Sequence, residues 1–410
     1  MRAAASERES VRRPSDRKAR IVTAATTLFC ERGYHNVSVA DVAGAVGITA
    51  PALYRHFRGK PDLLLHVVTV PIEAIAASLD AAPDLDSYLW ASAAEGVERR
   101  GSATLWQREA RHLPAERRAQ LRRALSDIAS RTSTLIRAVR PELSEQNGEL
   151  LAWAVLSVYG SISGHRVSLP RRRFEDLLHG LALSAAYSPL GDPFRGAEGR
   201  GPRGGGYLEL SMSRREEILS EAIRLFDERG FQSVSTDDIG EAAGASGPSI
   251  YKHFPSKTDL LVAAVVRGGE QRRAGTALAL ARATTPRERL DQLLRSYIEF
   301  ALHHSHLIGL LISELEQLPE KERRAAVQTQ RDYLALWVRV LDQVRPGLER
   351  PEARIVIGAV LTIVDNAART GRLGERADLP ERLTDIGMAL LLPEGAAAEP
   401  RPAAAADPLG

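Results

Sequence analysis

The same segment occurs twice in this chain, and the repeat constrains the fold more than any other feature. Residues 33–65 align without a gap with residues 230–262 at an offset of 197, and 14 of the 33 positions are identical. The similarity resumes at an offset of 205, where residues 113–118 align with 318–323 and residues 154–158 align with 359–363. A period of this size is that of a domain, so the chain is predicted to contain two equivalent units and not a solenoid.

The composition favours helices over sheets in both units. Hydrophobic residues make up 44% of the 410 residues but aromatic residues only 5%. Sheets draw more heavily on aromatic and β-branched side chains, so the predicted fold class is all-α. The chain is also long enough for two or more separate cores.

Changes in composition predict the domain boundaries. The stretch from Ser188 to Gly206 is rich in glycine and proline, which is typical of a linker. The predicted segments are a basic disordered arm at 1–16, a domain with the first copy of the repeat at 17–61, a helical domain at 62–187, a linker at 188–210, a domain with the second copy at 211–258, a second helical domain at 259–392 and a disordered tail at 393–410.

Charge and cysteine content narrow the classes of protein. The formal net charge is only +3, so affinity for nucleic acid must depend on where the basic residues lie. The single cysteine, Cys30, cannot form an internal disulfide and is expected to pack as a small residue in a reducing compartment.

We find no transmembrane run and no signal peptide, and we expect a bacterial-type cytoplasm. The basic N-terminus is either an arm for the minor groove or a solvated extension.

The spacing within each copy predicts a helix-turn-helix. In the first copy Gly33 ends one helix, Ser38 and Asp41 cap the next, and Gly47 permits a tight turn before a short helix from about Thr49 to His56. The second copy repeats these steps at Gly230, Ser235 with Asp238, Gly244, and Ser246 to His253. The last short helix of such a motif enters the major groove of DNA.

This pattern, with Y-x-H-F-x-x-K after the turn in both copies, resembles the N-terminal domain of the TetR family. The rest of each unit resembles the family's helical effector and dimerisation domain. The whole chain is similar to tandem TetR regulators of actinobacteria, including repressors of mammalian-cell-entry lipid-import operons, and the stretch LWQREARHLPAERR supports this similarity. The resemblance implies two fused units, each a helix-turn-helix domain followed by a helical effector and dimerisation domain.

The resemblance also implies which residues contact DNA. The tyrosine and histidine of Y-x-H-F would clamp the backbone, and the lysine would contact a phosphate. Small residues on the short helix would let it approach base edges, and the hydroxyls at its start would meet a phosphate. The predicted DNA-binding residues are Ser38, Thr49, Ala50, Pro51, Ala52, Tyr54, Arg55, His56, Lys60, Ser235, Ser246, Gly247, Pro248, Ser249, Tyr251, Lys252, His253 and Lys257.

Each of these roles has a structural alternative. Tyr54 and His56 could instead pack in the core, Lys60 and Lys257 could be ordinary solvated charges, and Thr49 could act only as an N-cap, as could Ser246. The phenylalanines of the motif, Phe57 and Phe254, are predicted to pack the small core of each DNA-binding domain.

A cluster in the first helical domain is a candidate ligand site. Its residues are Trp106, Arg108, Glu109, Arg111 and His112. Such a cluster suits an anionic, partly apolar effector such as an acyl-CoA or a sterol-derived acid. The alternative is an internal ion-pair network with the tryptophan in the core.

The second copy does not retain this cluster. The aligned residues are Leu311, Ser313, Glu314, Glu316 and Gln317. Only the position of Glu109 keeps its residue type, as Glu314. We therefore expect only the first unit to sense the anionic ligand.

No motif in the sequence points to catalysis, a cofactor or a metal. The histidines at 303, 304 and 306 lack the spacing or the additional ligands of a metal site and are predicted to form a solvated or partly packed helix end. We expect a protein that is not an enzyme.

Four apolar helices resemble the dimerising pair of the family: Leu150–Ser163, Leu177–Ala186, Arg354–Ala368 and Leu383–Leu392. A linker of about 20 residues reaches on the order of 25 Å, so the two halves can pair as a monomeric pseudodimer, although a homodimer stays open. The predicted function is a repressor of lipid- or sterol-related genes that a small ligand releases from a double-stranded DNA operator. Because TAPALYRH and SGPSIYKH differ, the half-sites should differ. The alternative is a ligand-independent architectural DNA-binding protein.

Overall fold

The computed structural model describes residues 14–100, 105, 109–164, 166–190, 213–245 and 247–393. All regular secondary structure in these ranges is helical, which confirms the predicted fold class. Most of the predicted arm, linker and tail lies outside the described residues, as do Trp106, Arg108 and Ser246.

The first half of the chain contains eight α-helices in the described ranges and 3-10 turns at Ala110–His112 and Ile162–Gly164. The helices are α1 (Pro14–Arg32), α2 (Val39–Ala45), α3 (Ala50–Tyr54), α4 (Lys60–Ala81), α5 (Leu85–Glu98), α6 (Ala115–Val139), α7 (Glu145–Ser161) and α8 (Arg171–Ala186).

The second half repeats this order and has ten α-helices in the described ranges. Its helices are α9 (Arg214–Arg229), α10 (Thr236–Ala242), α11 (Gly247–Ile250), α12 (Lys257–Ala281), α13 (Pro286–His303), α14 (Ser305–Ser313), α15 (Glu320–Val344), α16 (Arg350–Arg369), α17 (Gly371–Gly374) and α18 (Leu379–Leu391).

The eight residues that the second half gains lie around the junction of α12 and α13. Helix α12 is 25 residues long where α4 has 22, and α13 begins one turn before Leu290. The buried positions of α13 then match those of α5 at the offset of 205, as Leu290 and Leu294 do with Leu85 and Leu89. This register identifies which residues of the two helical domains are equivalent.

The chain divides into two compact units. The first comprises residues 1–73 and 101–121, and the second comprises 74–100 and 122–410. The first DNA-binding domain thus belongs to the smaller unit, whereas the second belongs to the larger one. Both have the predicted aromatic core, because Phe57 is 1% and Phe254 2% exposed.

A seam of four helices joins the two halves within the larger unit. Helix α7 packs along α16, and α8 packs against α18. These are the helices predicted to pair, so the pairing forms within one chain. At its centre the Asn366 amide donates a hydrogen bond of 2.9 Å to the Ser157 hydroxyl.

Ion pairs and hydrogen bonds extend the seam at its ends. The Arg173 guanidinium on α8 lies 2.8 Å from Glu352 of α16, and Arg376 donates to the Asn147 side chain of α7 at 2.8 Å. Each contact links residues of opposite halves, so polar as well as apolar interactions define how the halves pair.

The predicted bounds of the seam helices were too short at their N-termini. Helix α7 begins at Glu145 and not Leu150, because the Ser144 hydroxyl caps it by accepting the Asn147 amide at 3.2 Å. Helix α16 begins at Arg350, after a capping box formed by Glu349 and Glu352. Similarly, α8 and α18 begin at Arg171 and Leu379. The first turns of α7, α8 and α16 are mainly polar, so apolar periodicity alone did not include them.

Helix α4 is long and apolar enough, by length and composition alone, to cross a membrane. It begins with charged residues, Lys60 and Asp62, and its residues Leu63, Leu64 and Val67 are buried. This buried face is typical of a core helix in a globular domain.

Candidate nucleic-acid interface

Reciprocal capping boxes begin the second helix of each DNA-binding domain. The Ser38 hydroxyl accepts the Asp41 amide at 3.1 Å, and the Asp41 carboxylate accepts the Ser38 amide at 2.7 Å. Ser235 and Asp238 make the same pair at 3.0 and 2.7 Å. These hydrogen bonds lower the pKa of both aspartates. The capping predicted from the sequence is confirmed.

Glycines with positive φ set the two turns of each motif. Gly33 and Gly230, which end the first helices, have φ of 77° and 86°, and Gly47 and Gly244 have φ of 72° and 64°. A residue with a Cβ is strained in this region. The predicted tight turn between the second and third helices is therefore present in both copies.

The third helices are shorter than predicted. Helix α3 ends at Tyr54 and not at His56, and α11 ends at Ile250 and not at His253. The amides of His56 and Phe57 both bond to the Leu53 carbonyl, so the chain closes in a turn there. This turn brings the buried Phe57 side chain back to the core.

The start of α3 agrees with the sequence prediction. Thr49 is the N-cap in an extended conformation, and Pro51 lies within the first two helical positions. The Thr49 side chain makes no capping hydrogen bond and is exposed. Its hydroxyl is therefore available to a phosphate. Ala50 and Ala52, the small residues of this helix, are partly exposed beside it.

The tyrosines of Y-x-H-F lie on the surface and not in the core. Tyr54 is 55% and Tyr251 54% exposed. The Tyr251 hydroxyl lies 3.1 Å from the Thr236 hydroxyl, whereas the residue equivalent to Thr236 in the first domain is Val39. The two phenols thus have different neighbours, although the motif that carries them is the same.

The other predicted contacts are also distributed around these helices. Arg55 and Lys252 are exposed, His56 and His253 are half-buried, and Ser249 is partly exposed. The structure brings them to the third helix and the turn after it. Gly247 and Pro248 both belong to α11, and the Pro248 side chain lies outside the part of the chain that the structure describes.

Lys60 and Lys257 are not ordinary solvated charges. The Lys257 ammonium donates at 2.8 Å to the carbonyls of Phe231 and Val234 and lies 4.4 Å from the Phe231 ring centre. The Lys60 ammonium lies 4.3 Å from the Tyr34 ring centre. Burial lowers the pKa of both lysines. Both ammonium groups therefore hold the loop between the first two helices.

A buried glutamate anchors the same loop in each domain. The Glu109 carboxylate accepts the Tyr34 amide at 3.3 Å, and the Glu314 carboxylate accepts the Phe231 amide at 3.2 Å. The two glutamates are 5% and 2% exposed. Glu109 belongs to the predicted ligand cluster, and the structure uses it to fix the DNA-binding domain.

His112 extends this contact in the first domain. Its ring stacks on Tyr34 with a centroid distance of 5.5 Å and meets His35 edge-on at 4.3 Å. Burial, assisted by Arg111, lowers the pKa of His112 to about 3, so the ring is neutral. Of the predicted cluster, Glu109 and His112 thus face the DNA-binding domain, which favours the internal-network alternative for these two residues.

A cation on the first helix covers the core phenylalanine of each domain, which sequence reasoning missed. Lys18 lies 5.5 Å from the Phe57 ring centre, and Arg215 lies 4.4 Å from the Phe254 ring centre. Lys18 and Arg215 are equivalent at the offset of 197, so the basic residue kept at this position could have indicated the contact from the sequence. In the same way, the glutamate kept at 109 and 314 could have indicated the residue that anchors the loop.

Comparison with known proteins agrees with this geometry. The model for bacterial regulatory proteins of the tetR family matches residues 21–67 and again 218–264, and a tetracyclin repressor-like C-terminal domain matches 283–369. The HTH-type transcriptional activator FasR of Mycolicibacterium smegmatis is 31% identical over 155 residues, which cover 38% of this chain and 70% of FasR. The chain belongs to the TetR family.

Other TetR proteins are similar over one half of the chain. The HTH-type transcriptional repressor KstR2 of Mycobacterium tuberculosis is 30% identical over 143 residues, covering 34% of this chain and 71% of KstR2. Its solved structure, described as that of a ketosteroid transcriptional regulator, covers 44% of this chain and 93% of its own at 24% identity and a TM-score of 0.38. Two TetR DNA-binding domains in one chain make this a tandem TetR regulator and not an enzyme.

Proposed function

We propose that this TetR regulator is a ligand-released repressor that binds one operator with unlike half-sites. The observation that carries the proposal is the four-helix seam within the chain, because it pairs helices of the first half with helices of the second half, and each half contains its own DNA-binding domain. Dimers of identical subunits read palindromes, so a fused pair of different readers should select an asymmetric site. Its place of action is the bacterial cytoplasm.

The proposed contacts are those predicted from the sequence. Exposed Tyr54 and Tyr251 support a clamp on the DNA backbone, and the free Thr49 hydroxyl supports a phosphate contact. Lys60 and Lys257 would act on DNA chiefly by fixing the loop, with any remaining N–H group directed to a phosphate. The same division into DNA-binding and helical domains, with the boundaries given above, is part of the proposal.

The first helical domain is proposed to bind an anionic, partly apolar ligand near Trp106, Arg108 and Arg111. Glu109 supplies the link to DNA binding, because it holds the Tyr34 amide directly. A ligand that displaces this carboxylate would loosen the loop of the first DNA-binding domain. KstR2, whose structure is described as that of a ketosteroid regulator, supports genes of sterol or lipid metabolism as targets.

Selection of bound duplexes from a random pool tests the operator. We expect two different half-sites about one helical turn apart, and a strict inverted repeat would contradict the proposal. The selected duplex is then titrated with palmitoyl-CoA and with a cholesterol-derived acid. Release by either ligand supports the repressor, whereas retention with both, together with calorimetry that detects no binding, supports the architectural alternative.

A further inference from the structure

The two DNA-binding domains carry opposite net charge. Residues 17–61 contain seven arginine or lysine residues and two acidic residues, which gives a formal charge of +5. The equivalent residues, 214–258, contain six basic and eight acidic residues, which gives a formal charge of −2. Double-stranded DNA carries about one negative charge per 1.7 Å of its axis. Its phosphates therefore attract the first domain and oppose the approach of the second.

Exposed arginines account for the charge of the first domain. Two of its seven cations, Lys18 and Lys60, lie against aromatic rings. The other five are exposed and form no ion pair within the described part of the chain: Arg17, Arg20, Arg32, Arg55 and Arg58. Their positive charge is therefore not neutralised by a neighbouring carboxylate.

The cations of the second domain are mostly engaged within the protein. Three of the six form ion pairs at 2.6 to 3.8 Å, and two lie 4.4 Å from aromatic ring centres: Arg214 with Glu217, Arg224 with Glu221, Arg229 with Asp238, Arg215 with Phe254, and Lys257 with Phe231. The sixth, Lys252, is exposed and makes no such contact among the described residues. The second domain thus presents one unpaired cation where the first presents five.

An ion pair of the second domain shows where one of these differences lies. The Arg214 guanidinium donates to Glu217 and also to the carbonyl of Gly244, the glycine in the turn between α10 and α11. Position 214 therefore reaches the helix-turn-helix itself. The equivalent of Arg214 in the first domain is Arg17, and the equivalent of Glu217 is Arg20. A neutral pair beside the turn of one domain corresponds to two like cations in the other.

The second helices of the two motifs differ in the same sense. Helix α10 carries Asp237 and Glu241, both exposed, where α2 has Ala40 and Gly44. The Glu241 carbonyl accepts the Gly244 amide at 3.1 Å, so this acidic residue also lies at the turn. Carboxylates at these positions repel the phosphate backbone that the motif approaches.

We propose that the two domains divide the binding of the operator. The first domain anchors the chain on the phosphate backbone of any duplex, and the second binds only a matching half-site to which the first delivers it. Arg17 and Arg20 are additional phosphate contacts of the first domain, together with Arg55 and Arg58 after its third helix. Phosphate contacts carry no sequence information, so such an anchor binds without regard to sequence. The inference rests on the proposed function in taking duplex DNA as the partner of both domains.

The covalent connection makes a weakly attracted second domain sufficient. Once the first domain is bound, the second meets the same DNA at an effective concentration on the order of millimolar. At 0.1 M salt the repulsion of its acidic residues is screened beyond about 10 Å, so contacts to the bases of a matching half-site outweigh it. The second domain thus adds sequence discrimination with little non-specific affinity.

Charge exchange at one equivalent position tests this division. Fluorescence anisotropy measures binding of the full chain to an unrelated duplex over a range of salt concentrations. We expect Arg20→Glu to weaken binding about tenfold and to reduce the salt dependence, the slope of log affinity against log salt, by about 1. Glu217→Arg should strengthen binding about tenfold and steepen this slope. Arg339→Glu, the same change at an exposed arginine of α15, is the control and should leave binding unchanged.

A second pair of variants removes a cation without adding a carboxylate. Arg55→Gln should weaken binding to the unrelated duplex. Lys252→Gln, at the equivalent position, should leave that binding unchanged and weaken binding to the selected operator. Equal losses of Arg55→Gln and Lys252→Gln on the unrelated duplex, or no gain from Glu217→Arg, would overturn the division.

The proposed function fails in a different way. A strict inverted repeat as the selected operator, or an operator that neither ligand releases, would refute the proposed function, whereas the charge effects on unrelated DNA would stand. An asymmetric operator released by a ligand, without these charge effects, would refute the division alone.

Discussion

Glu109 and Glu314 occupy the position at which the two halves agree while their neighbours differ. Each carboxylate accepts an amide of the loop between the first two helices of a DNA-binding domain. The glutamate is kept in both halves although its immediate neighbours differ. It therefore positions the same loop in both DNA-binding domains.

Replacing Glu314 with alanine should lower both stability and operator affinity. The substitution leaves the Phe231 amide without its acceptor, and an unsatisfied buried donor costs about 1–3 kcal/mol. Chemical denaturation and operator titration measure the two effects. Glu316→Ala, an exposed glutamate two residues away, is the matched control. Equal losses in the two variants would contradict the anchoring role.

Asp365 on α16 predicts a particular pH dependence of stability. Burial raises its pKa to about 7 in the folded chain from an ordinary value of 3.8. The folded state then holds a proton that the unfolded chain has released, so the contribution of Asp365 to stability is complete below about pH 4 and is lost as the pH rises to about 7. The loss amounts to a few kcal/mol at most.

Asp365→Asn isolates this dependence. The free energy of unfolding of the wild type minus that of the variant should fall between about pH 4 and 7 and then level off, with the variant more stable above that range. A difference that does not change with pH would mean that Asp365 keeps an ordinary pKa in the folded chain.

At the level of elements, the sequence predicts what local chemistry determines. Capping boxes at Ser38 and Ser235, glycine turns at Gly33 and Gly47, and the seam helices all followed from residue type and spacing. The early end of α3 did not follow, because a tertiary contact, the burial of Phe57, ends it.

The same reason limited the site predictions. The tasks of the lysines and of Glu109 depend on loops distant in sequence, so their residue types alone did not reveal them. Asp365 belonged to no motif. Its raised pKa arises from burial at the contact of α13 with α16.

Gly309 on α14 tests how closely the second DNA-binding domain is held. A Cβ atom at this position would overlap the Arg369 guanidinium and the Asp227 carboxylate. Gly309→Ala should therefore break the ion pair of these two groups and destabilise the chain by about 1–3 kcal/mol, despite the better helix propensity of alanine. Hydrogen exchange should show faster opening of α9.

Gly180 on α8 is the matched control, because a Cβ there meets nothing within 4 Å. Gly180→Ala should raise stability by about 0.5–1 kcal/mol. If Gly309→Ala were also stabilising, and exchange in α9 did not change, the ion pair would not hold this domain.

On the scale of the whole molecule, the seam replaces the symmetric contact of two subunits by a contact between unlike halves. Arg173 pairs with Glu352, but the residue equivalent to Glu352 in the first half is the neutral Asn147, which pairs with Arg376. Two copies of the first half could not form the Arg173–Glu352 ion pair. The contacts at the ends of the seam are thus matched between the halves of one chain.

The two halves also differ within their DNA-binding domains and within their helical domains. The DNA-binding domains differ at Thr236 and Val39, and the helical domains differ in charge at Asp365 and Gly160.

Native mass measurement of the protein on its selected operator distinguishes pairing within one chain from pairing between two chains. We expect one 44.7 kDa chain per duplex, with each half-site lost independently when its own DNA-binding domain is disabled by Tyr54→Ala or Tyr251→Ala. Two chains per duplex on an inverted repeat would contradict it, because the seam would then join separate molecules and not the two halves of one.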